Sequence, residues 1–277
     1  MSDEYDAAKI GTGQEPSVVT YDLELVPWLF EHWAEPMVDL VDPRPSSRIV
    51  DLACGSGLIV RHLQGRLDGS GRIHGVDFDA AMLAYAATTV EDDRVTWHES
   101  DVADLPFETN SLDRVSCHQG LQFFPDRPTA LAEARRVLEP DGRLGVATWG
   151  RLADNPWPAA LSSAVGRLLG ERAGAGMAIV CDLGEPGELA AILREANFAE
   201  IVVQVQDRTV THPDVRVAVA GQVSALPSGS AIAALTSEQR EQLVDLMCEE
   251  LADHTDATGR LRLPSTSNLA HARAADG

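Results

Sequence analysis

Positive charge is scarce in this chain: 22 lysine and arginine residues stand against 43 aspartate and glutamate in 277, a formal charge of −21. Such a surface repels a phosphate backbone, which argues against nucleic acid as a partner, and it disfavours anionic membrane faces for the same reason. Long apolar runs are missing too, and none approaches the ~20 residues that a bilayer crossing requires. The four cysteines, Cys54, Cys117, Cys181 and Cys248, lie far apart and form no C-x-x-C, so neither a zinc site nor a disulfide framework is expected. They read as reduced packing residues, and with no His/Cys cluster at ligand spacing no metal is expected. Met1-Ser2-Asp3-Glu4-Tyr5-Asp6 lacks a basic region ahead of an apolar stretch, which points to the cytoplasm rather than to secretion.

What the chain does have is a buried-strand pattern running into a glycine turn, Ile49-Val50-Asp51-Leu52-Ala53-Cys54-Gly55-Ser56-Gly57. Branched residues suit a strand covered on both faces, Gly55 and Gly57 let backbone approach a ligand, and a helix is expected over 58–67. A Gly-x-Gly pair alone also serves ordinary turns, so the acids at later strand ends matter. Arg72-Ile73-His74-Gly75-Val76-Asp77 predicts a second strand whose terminal carboxylate, about 20 residues past Gly57, can accept both hydroxyls of a ribose. Val95-Thr96-Trp97-His98-Glu99-Ser100-Asp101 predicts a third strand, with Asp101 just past its end and Val102 next; an acid there can meet an adenine amino group. A dinucleotide dehydrogenase shares these features. However, the third glycine of its G-x-G-x-x-G pattern is Val60 here, and Asp51 places negative charge near the turn, which suits a cationic ligand better than a diphosphate.

On these residues the sequence resembles a class I S-adenosylmethionine-dependent methyltransferase, in the small-molecule group related to ubiquinone and menaquinone biosynthesis methyltransferases. The resemblance covers most of the chain. It extends through Ser100-Asp101-Val102-Ala103-Asp104-Leu105-Pro106-Phe107, Leu112-Asp113-Arg114-Val115, Gln119-Gly120-Leu121-Gln122-Phe123-Phe124-Pro125-Asp126, the helix over 130–138, the turn Glu139-Pro140-Asp141-Gly142 and the strand over 143–147. It implies S-adenosylmethionine as cofactor and S-adenosylhomocysteine as product. Asp51 would order the glycine turn beside the methionine amino group, with Ala53, Gly55 and Gly57 giving backbone contacts and Asp77 holding the ribose. Phe78 and Met82 would flank the adenine, Asp101 would accept from its amino group, and the Val102 backbone would meet a ring nitrogen. Backbone at His118 and Gln119 would receive the amino group, Gln122 and Phe123 would line the acceptor pocket, and Tyr21 would face the methionine end from an N-terminal segment that closes over the cofactor.

The alternation of strands and helices predicts an α/β fold: a doubly wound, Rossmann-like, seven-stranded and mostly parallel sheet with an antiparallel last strand and a helical cap. Residues 1–35 read as an N-terminal helical lid, with a polar arm to about Pro16. Tyr21, Leu25, Trp28 and Leu29 then recur at helical spacing in a segment bent or broken at Pro27. Residues 36–210 read as the cofactor-binding core, including a helix over 159–169. Residues 211–257 form a cap inserted before the last strand, where Leu243, Leu246, Met247 and Leu251 follow a Thr236-x-x-Gln239 capping box. Residues 258–277 carry the last strand, bulged at Pro264, and the C-terminus. Asp79 and Asp126 are expected helix caps.

A sulfonium methyl is already electrophilic, so the protein has chiefly to align a nucleophile and exclude water. His118 is the candidate base, since imidazole titrates near neutrality, although a strand-end histidine can contribute backbone alone. Trp149, ending the fifth strand, is a candidate pocket wall; His32 and His254 are weaker alternatives as substrate contacts. The leading expectation is methyl transfer to an oxygen, nitrogen or carbon nucleophile of a small quinone-like, aromatic or secondary-metabolite acceptor, with a second copy of the chain as the candidate protein partner. A non-methylating catalyst on the same fold, such as a cyclase, and a nicotinamide-dependent oxidoreductase are the competing readings.

Overall fold

A strand covered by helices on both faces is buried over most of its length, and four segments show that pattern. They are β1 (Arg48–Leu52), β2 (Arg72–Asp77), β4 (Leu112–His118) and β5 (Leu138–Trp149). The computed structural model describes residues 16–225 and 234–275. With the half-exposed edge strand β3 (Val95–Glu99), β6 (Phe198–His212) and β7 (Leu261–Ala274), they form one seven-stranded sheet in the order β3-β2-β1-β4-β5-β7-β6. β1 to β5 run parallel, and β7 enters antiparallel between β5 and β6. The strand order reverses between β1 and β4, so a crevice forms at their carboxyl ends. This is the sheet the sequence predicts.

Alternating side chains divide the core. Val50, Leu52, Val115 and Leu144 pack against α5 (Arg127–Val137) and α8 (Pro186–Glu195) on one face. On the other, Ile49 and Ile73 meet Met37 and Val38 of α2 (Glu31–Val41) and Ile59 and Leu63 of α3 (Leu58–Gln64). Val60, at the dehydrogenase glycine position, is buried in this second cluster. Asp79 caps α4 (Ala80–Thr89) through the N–H groups of Ala81 and Met82, and Asp126 caps α5 through Thr129. Such caps are worth about 1 kcal/mol each.

The N-terminal segment differs from its expectation. It does not break at Pro27: α1 (Pro16–Thr20) continues through a π-helical stretch, Tyr21–Phe30, into α2. Proline removes a donor from the ladder, the wider turn absorbs the misfit, and the Trp28 indole donates to the Glu24 carbonyl at 2.7 Å. Residue 35, the expected limit of the lid, therefore lies inside a continuous helix. Residues 1–15 of the expected lid and 226–233 of the expected cap lie outside the described residues.

The cap also recruits more than the sequence suggested. One apolar cluster joins Leu25, Trp28 and Leu29 of the π-helical stretch to α6 (Pro156–Leu169), α9 (Val215–Ala225) and α10 (Ser237–Glu250). Trp28 and Trp157 meet edge to face at 4.7 Å. α10 starts with the reciprocal Thr236/Gln239 capping box, and Leu243, Met247 and Leu251 are fully buried. No bulge occurs at Pro264: it pairs with Thr209 in unbroken register, and the irregularity lies between Ala199 and Val202. β5 pairs with β7 only from Ser267 onward, so the missing proline N–H faces no strand.

Gly75 marks the tightest point of the sheet. A Cβ there would intrude into the Trp97 ring, which packs across β2 from β3. Gly75→Ala is expected to cost about 1–3 kcal/mol through overpacking. Urea unfolding should show a lower midpoint at unchanged slope, partly recovered when Trp97→Leu is added.

Candidate cofactor and acceptor site

The turn after β1 is held by left-handed backbone at Ala53 (φ 52°), Gly55 (φ 53°) and Gly57 (φ 87°). Gly57 ends the turn at the N-terminus of α3, where its φ suits glycine. The Asp77 carboxylate clamps this turn: one oxygen accepts from the Gly55 N–H at 2.8 Å and the other from the Asp79 N–H at 3.0 Å. A Cβ built on Gly55 would meet nothing within 4 Å, so the space in front of the turn is open. Beside Asp77, Phe78 stands 81% exposed, an apolar face with no cover from the protein. Asp101 is exposed just beyond β3, accepts from the Ala103 N–H at 2.9 Å, and is followed by a half-buried Val102.

Asp51 lies beneath the turn. It is buried and accepts from the Ser116 hydroxyl at 2.6 Å, so it stiffens the β1–β4 contact and does not itself line the cavity described below. Burial pushes its pKa up to about 7, with Asp77 adding in the same direction against the Ser116 hydrogen bond. Burial likewise raises Asp77, against the hydrogen bonds from Asp79 and Gly55. It also raises Tyr21, whose phenol further feels the charges of Asp22 and Asp77. The Cys117 thiol is pushed up to about 12 by burial, so it stays protonated; the four cysteines are all free.

A contact that the sequence did not disclose ties the N-terminal helix to this turn. Asp22 accepts from the Ser56 hydroxyl at 2.5 Å and from Arg61 at 3.0 Å through one oxygen, and from the Tyr85 hydroxyl at 3.0 Å through the other. Arg61 closes the ring by donating to the Ser56 carbonyl at 2.8 Å. The residue beside Tyr21 therefore anchors the segment over the turn. Nothing in the local pattern of Asp22 distinguishes it from a solvated acid.

From the turn a cavity of about 460 Å³ runs under the cap. Tyr21, Ala53, Met82, His118, Gln119, Phe123 and Trp149 line it, which brings seven of the expected site residues together. Asp77, Phe78, Asp101, Gly55, Gly57 and Val102 are not in its wall; they lie along the adjoining turn and strand tips. Gln122 departs from its expected place: it is fully buried, donates to the Gln119 carbonyl at 2.8 Å and does not line the cavity. The one-turn helix Leu121–Phe123 turns it inward and leaves the half-exposed Phe123 outward. His32 and His254 do not reach the cavity, whereas Trp157, a weaker candidate from its aromatic character, does, as do Phe30, Leu161 and Ser265, which carry no local signal for it. Among the described residues no group of three or more His, Cys, Asp or Glu is placed to hold a metal.

His118 ends β4 in this wall, near Phe30 at 6.4 Å between rings. Burial holds its pKa down at about 3, so the imidazole is neutral across the physiological range. Its Nε2 has no hydrogen-bond partner among the described residues.

Strand order, glycine turn and strand-tip acids together define a class I nucleoside-binding α/β fold. Residues 50–146 match the family described as a methyltransferase domain. A 2-phytyl-1,4-naphtoquinone methyltransferase of Trichormus variabilis is 34% identical over 118 residues, 41% of this chain and 52% of the relative. A nocamycin O-methyltransferase of Saccharothrix syringae is 30% identical over 194 residues, 62% of this chain and 66% of the relative. The chain spans about half the length of the naphthoquinone relatives it matches. Phosphoethanolamine N-methyltransferase 2 of Haemonchus contortus shares the fold at a TM-score of 0.61 with 18% identity, over 94% of this chain and 57% of that one. Residues 50–146 are therefore a methyltransferase domain, and the fold around them is that of the class I S-adenosylmethionine-dependent methyltransferases.

The raised pKa of Asp51 sets a pH dependence. A carboxyl that holds its proton more tightly when folded stabilises fully below its ordinary value near 3.8 and loses that contribution as pH rises through about 7. Asp51→Asn stays neutral throughout. Its melting temperature relative to the parent should therefore increase from pH 5 to pH 8, and a constant offset would refute the assignment.

Proposed function

We propose that this chain transfers the methyl group of S-adenosylmethionine to an oxygen, nitrogen or carbon nucleophile of a small, largely apolar acceptor bound under the cap. One observation carries the reading: the glycine turn and the apolar cavity share a wall, in which Ala53, Met82, His118 and Gln119 lie together. The named substrates of the relatives, a phytyl-naphthoquinone and nocamycin, fit a quinone-like, aromatic or secondary-metabolite acceptor. No helix among the described residues is long and apolar enough to cross a membrane. A formal charge of −21 favours a small-molecule substrate over nucleic acid; the cytoplasm is the candidate location and a homodimer the candidate assembly.

The residues at the turn fit the cofactor. Each Asp77 oxygen uses one lone pair on a backbone N–H and keeps another for a ribose hydroxyl. The exposed ring of Phe78 and the Met82 side chain would flank the adenine, Asp101 would accept from its amino group, and the Val102 backbone would meet a ring nitrogen. Gly55 and Gly57 would admit the methionine portion, Asp51 would support the turn beneath its amino group, backbone at His118 and Gln119 would receive that group, and Tyr21 would face it from the latched helix. When bound, S-adenosylmethionine supplies an electrophilic methyl on a sulfonium. The chain then holds the nucleophile in line and keeps water out with Phe30, Trp149 and Trp157, positioning that can contribute up to about 7–11 kcal/mol. His118, neutral, accepts a hydrogen bond from the incoming hydroxyl; with so low a pKa it is a weak proton acceptor.

Calorimetric titration should show S-adenosylhomocysteine binding and no NAD binding; the reverse would overturn the family-based reading of the cofactor. Asp77→Ala should weaken S-adenosylhomocysteine at least about tenfold, through loss of charge-assisted hydrogen bonds worth about 1.5–3 kcal/mol. Transfer from a labelled methyl donor separates methylation from cyclisation, in which the label would stay unconsumed. Once an acceptor is in hand, turnover should show no titration near pH 6.5 attributable to His118, because its folded pKa lies near 3. A pH step that disappears in His118→Ala would show that it works as a titrating base.

A further inference from the structure

Three buried polar atoms without a partner among the described residues, His118 Nε2, Gln119 Oε1 and Ser265 Oγ, belong to residues in the wall of the cavity under the cap. Gln119 and Ser265 are 6% and 3% exposed. The Gln119 amide is locked in orientation by its neighbours: Nε2 donates to Ser267 Oγ at 3.0 Å, and that hydroxyl spends its proton on the Thr148 carbonyl at 2.7 Å. A flipped amide would set its carbonyl against an oxygen with no hydrogen to give, so Oε1 stays free as an acceptor. Ser265 sits two residues from Ser267 on β7, hence on the same face and roughly 7 Å further along the strand. Around these points the wall is apolar, formed by Leu25, Leu29, Trp149, Trp157, Leu161 and Val210.

We propose that Ser265 and Gln119 set acceptor specificity by reading two separate polar groups: a donor hydroxyl beside His118 and Gln119, and a second oxygen held by Ser265. The acceptor class is then an apolar molecule bearing two oxygen substituents at separated positions, rather than a single hydroxyl. A buried hydroxyl left unpaired disfavours a molecule that lacks the matching group, so discrimination comes from Ser265 as much as from the ligand. The proposal rests on the methyltransferase reading for which hydroxyl reacts, but the cavity's preference can be measured without turnover.

The test is calorimetry on the full chain saturated with S-adenosylhomocysteine, using 1-naphthol and the 1,3-, 1,4-, 1,5- and 2,7-dihydroxynaphthalenes as probes. At least one dihydroxy isomer should bind about tenfold more tightly than 1-naphthol, and Ser265→Ala should shrink that ratio to under about twofold. Ser265→Thr keeps the hydroxyl and should retain most of the ratio, which separates loss of a hydrogen bond from disturbance of β7. The proposal is overturned if no isomer exceeds 1-naphthol, if no probe binds at all, or if the preference survives in Ser265→Ala. S-adenosylhomocysteine titrated alone on the same sample keeps the two ideas apart: its failure to bind counts against the methyltransferase reading, whereas a naphthol preference measured without it and abolished in Ser265→Ala still assigns the cavity.

Discussion

The site is organised around one carboxylate. Asp77 reaches back from the end of β2 to the backbone of the β1 turn and forward to the start of α4, fixing two strand tips and a helix with two hydrogen bonds. Because it is buried, its charge is costly unless donors surround it, and the left-handed turn supplies one by aiming the Gly55 N–H at it. The turn is thus shaped by the same group that has lone pairs left for a ligand. Below it, Asp51 and Ser116 bridge the switch point between β1 and β4. This gives the crevice a rigid floor carrying two acids whose pKa values burial raises.

The roof is assembled from distant parts of the chain. Helical segments before β1, after β5 and between β6 and β7 share one apolar cluster, distinct from the two that flank the sheet. The link between roof and floor is polar and specific, made by Asp22 with Ser56, Arg61 and Tyr85. An apolar roof tolerates changes of acceptor; a polar latch fixes where that roof sits.

Much of this was legible in the sequence, for identifiable reasons. The β1 run, the glycine turn and the placing of acids 77 and 101 at strand ends are local patterns that do not depend on distant contacts. What escaped depends on partners far away in sequence. Pro27 signals a break, yet the helix survives because the π-helical turn widens and Trp28 satisfies Glu24. Gln122 and Phe123 look interchangeable beside a strand end; only the short turn over Leu121–Phe123 decides which one is buried. Asp22 and Ser265 carry no motif. Their roles come from the docking of a helix and from the overhang of β7 past β5.

That overhang has a consequence for how such chains diversify. From Leu261 to Thr266, β7 pairs with β6 alone, so the helices carried at the end of this two-stranded arm hang from a cantilever outside the ladder of the other five strands. Exchanging or resizing what the arm carries leaves every inter-strand offset within the sheet unaltered. The arm is therefore a natural seam for recombination, where one engine can be fitted with different receptacles.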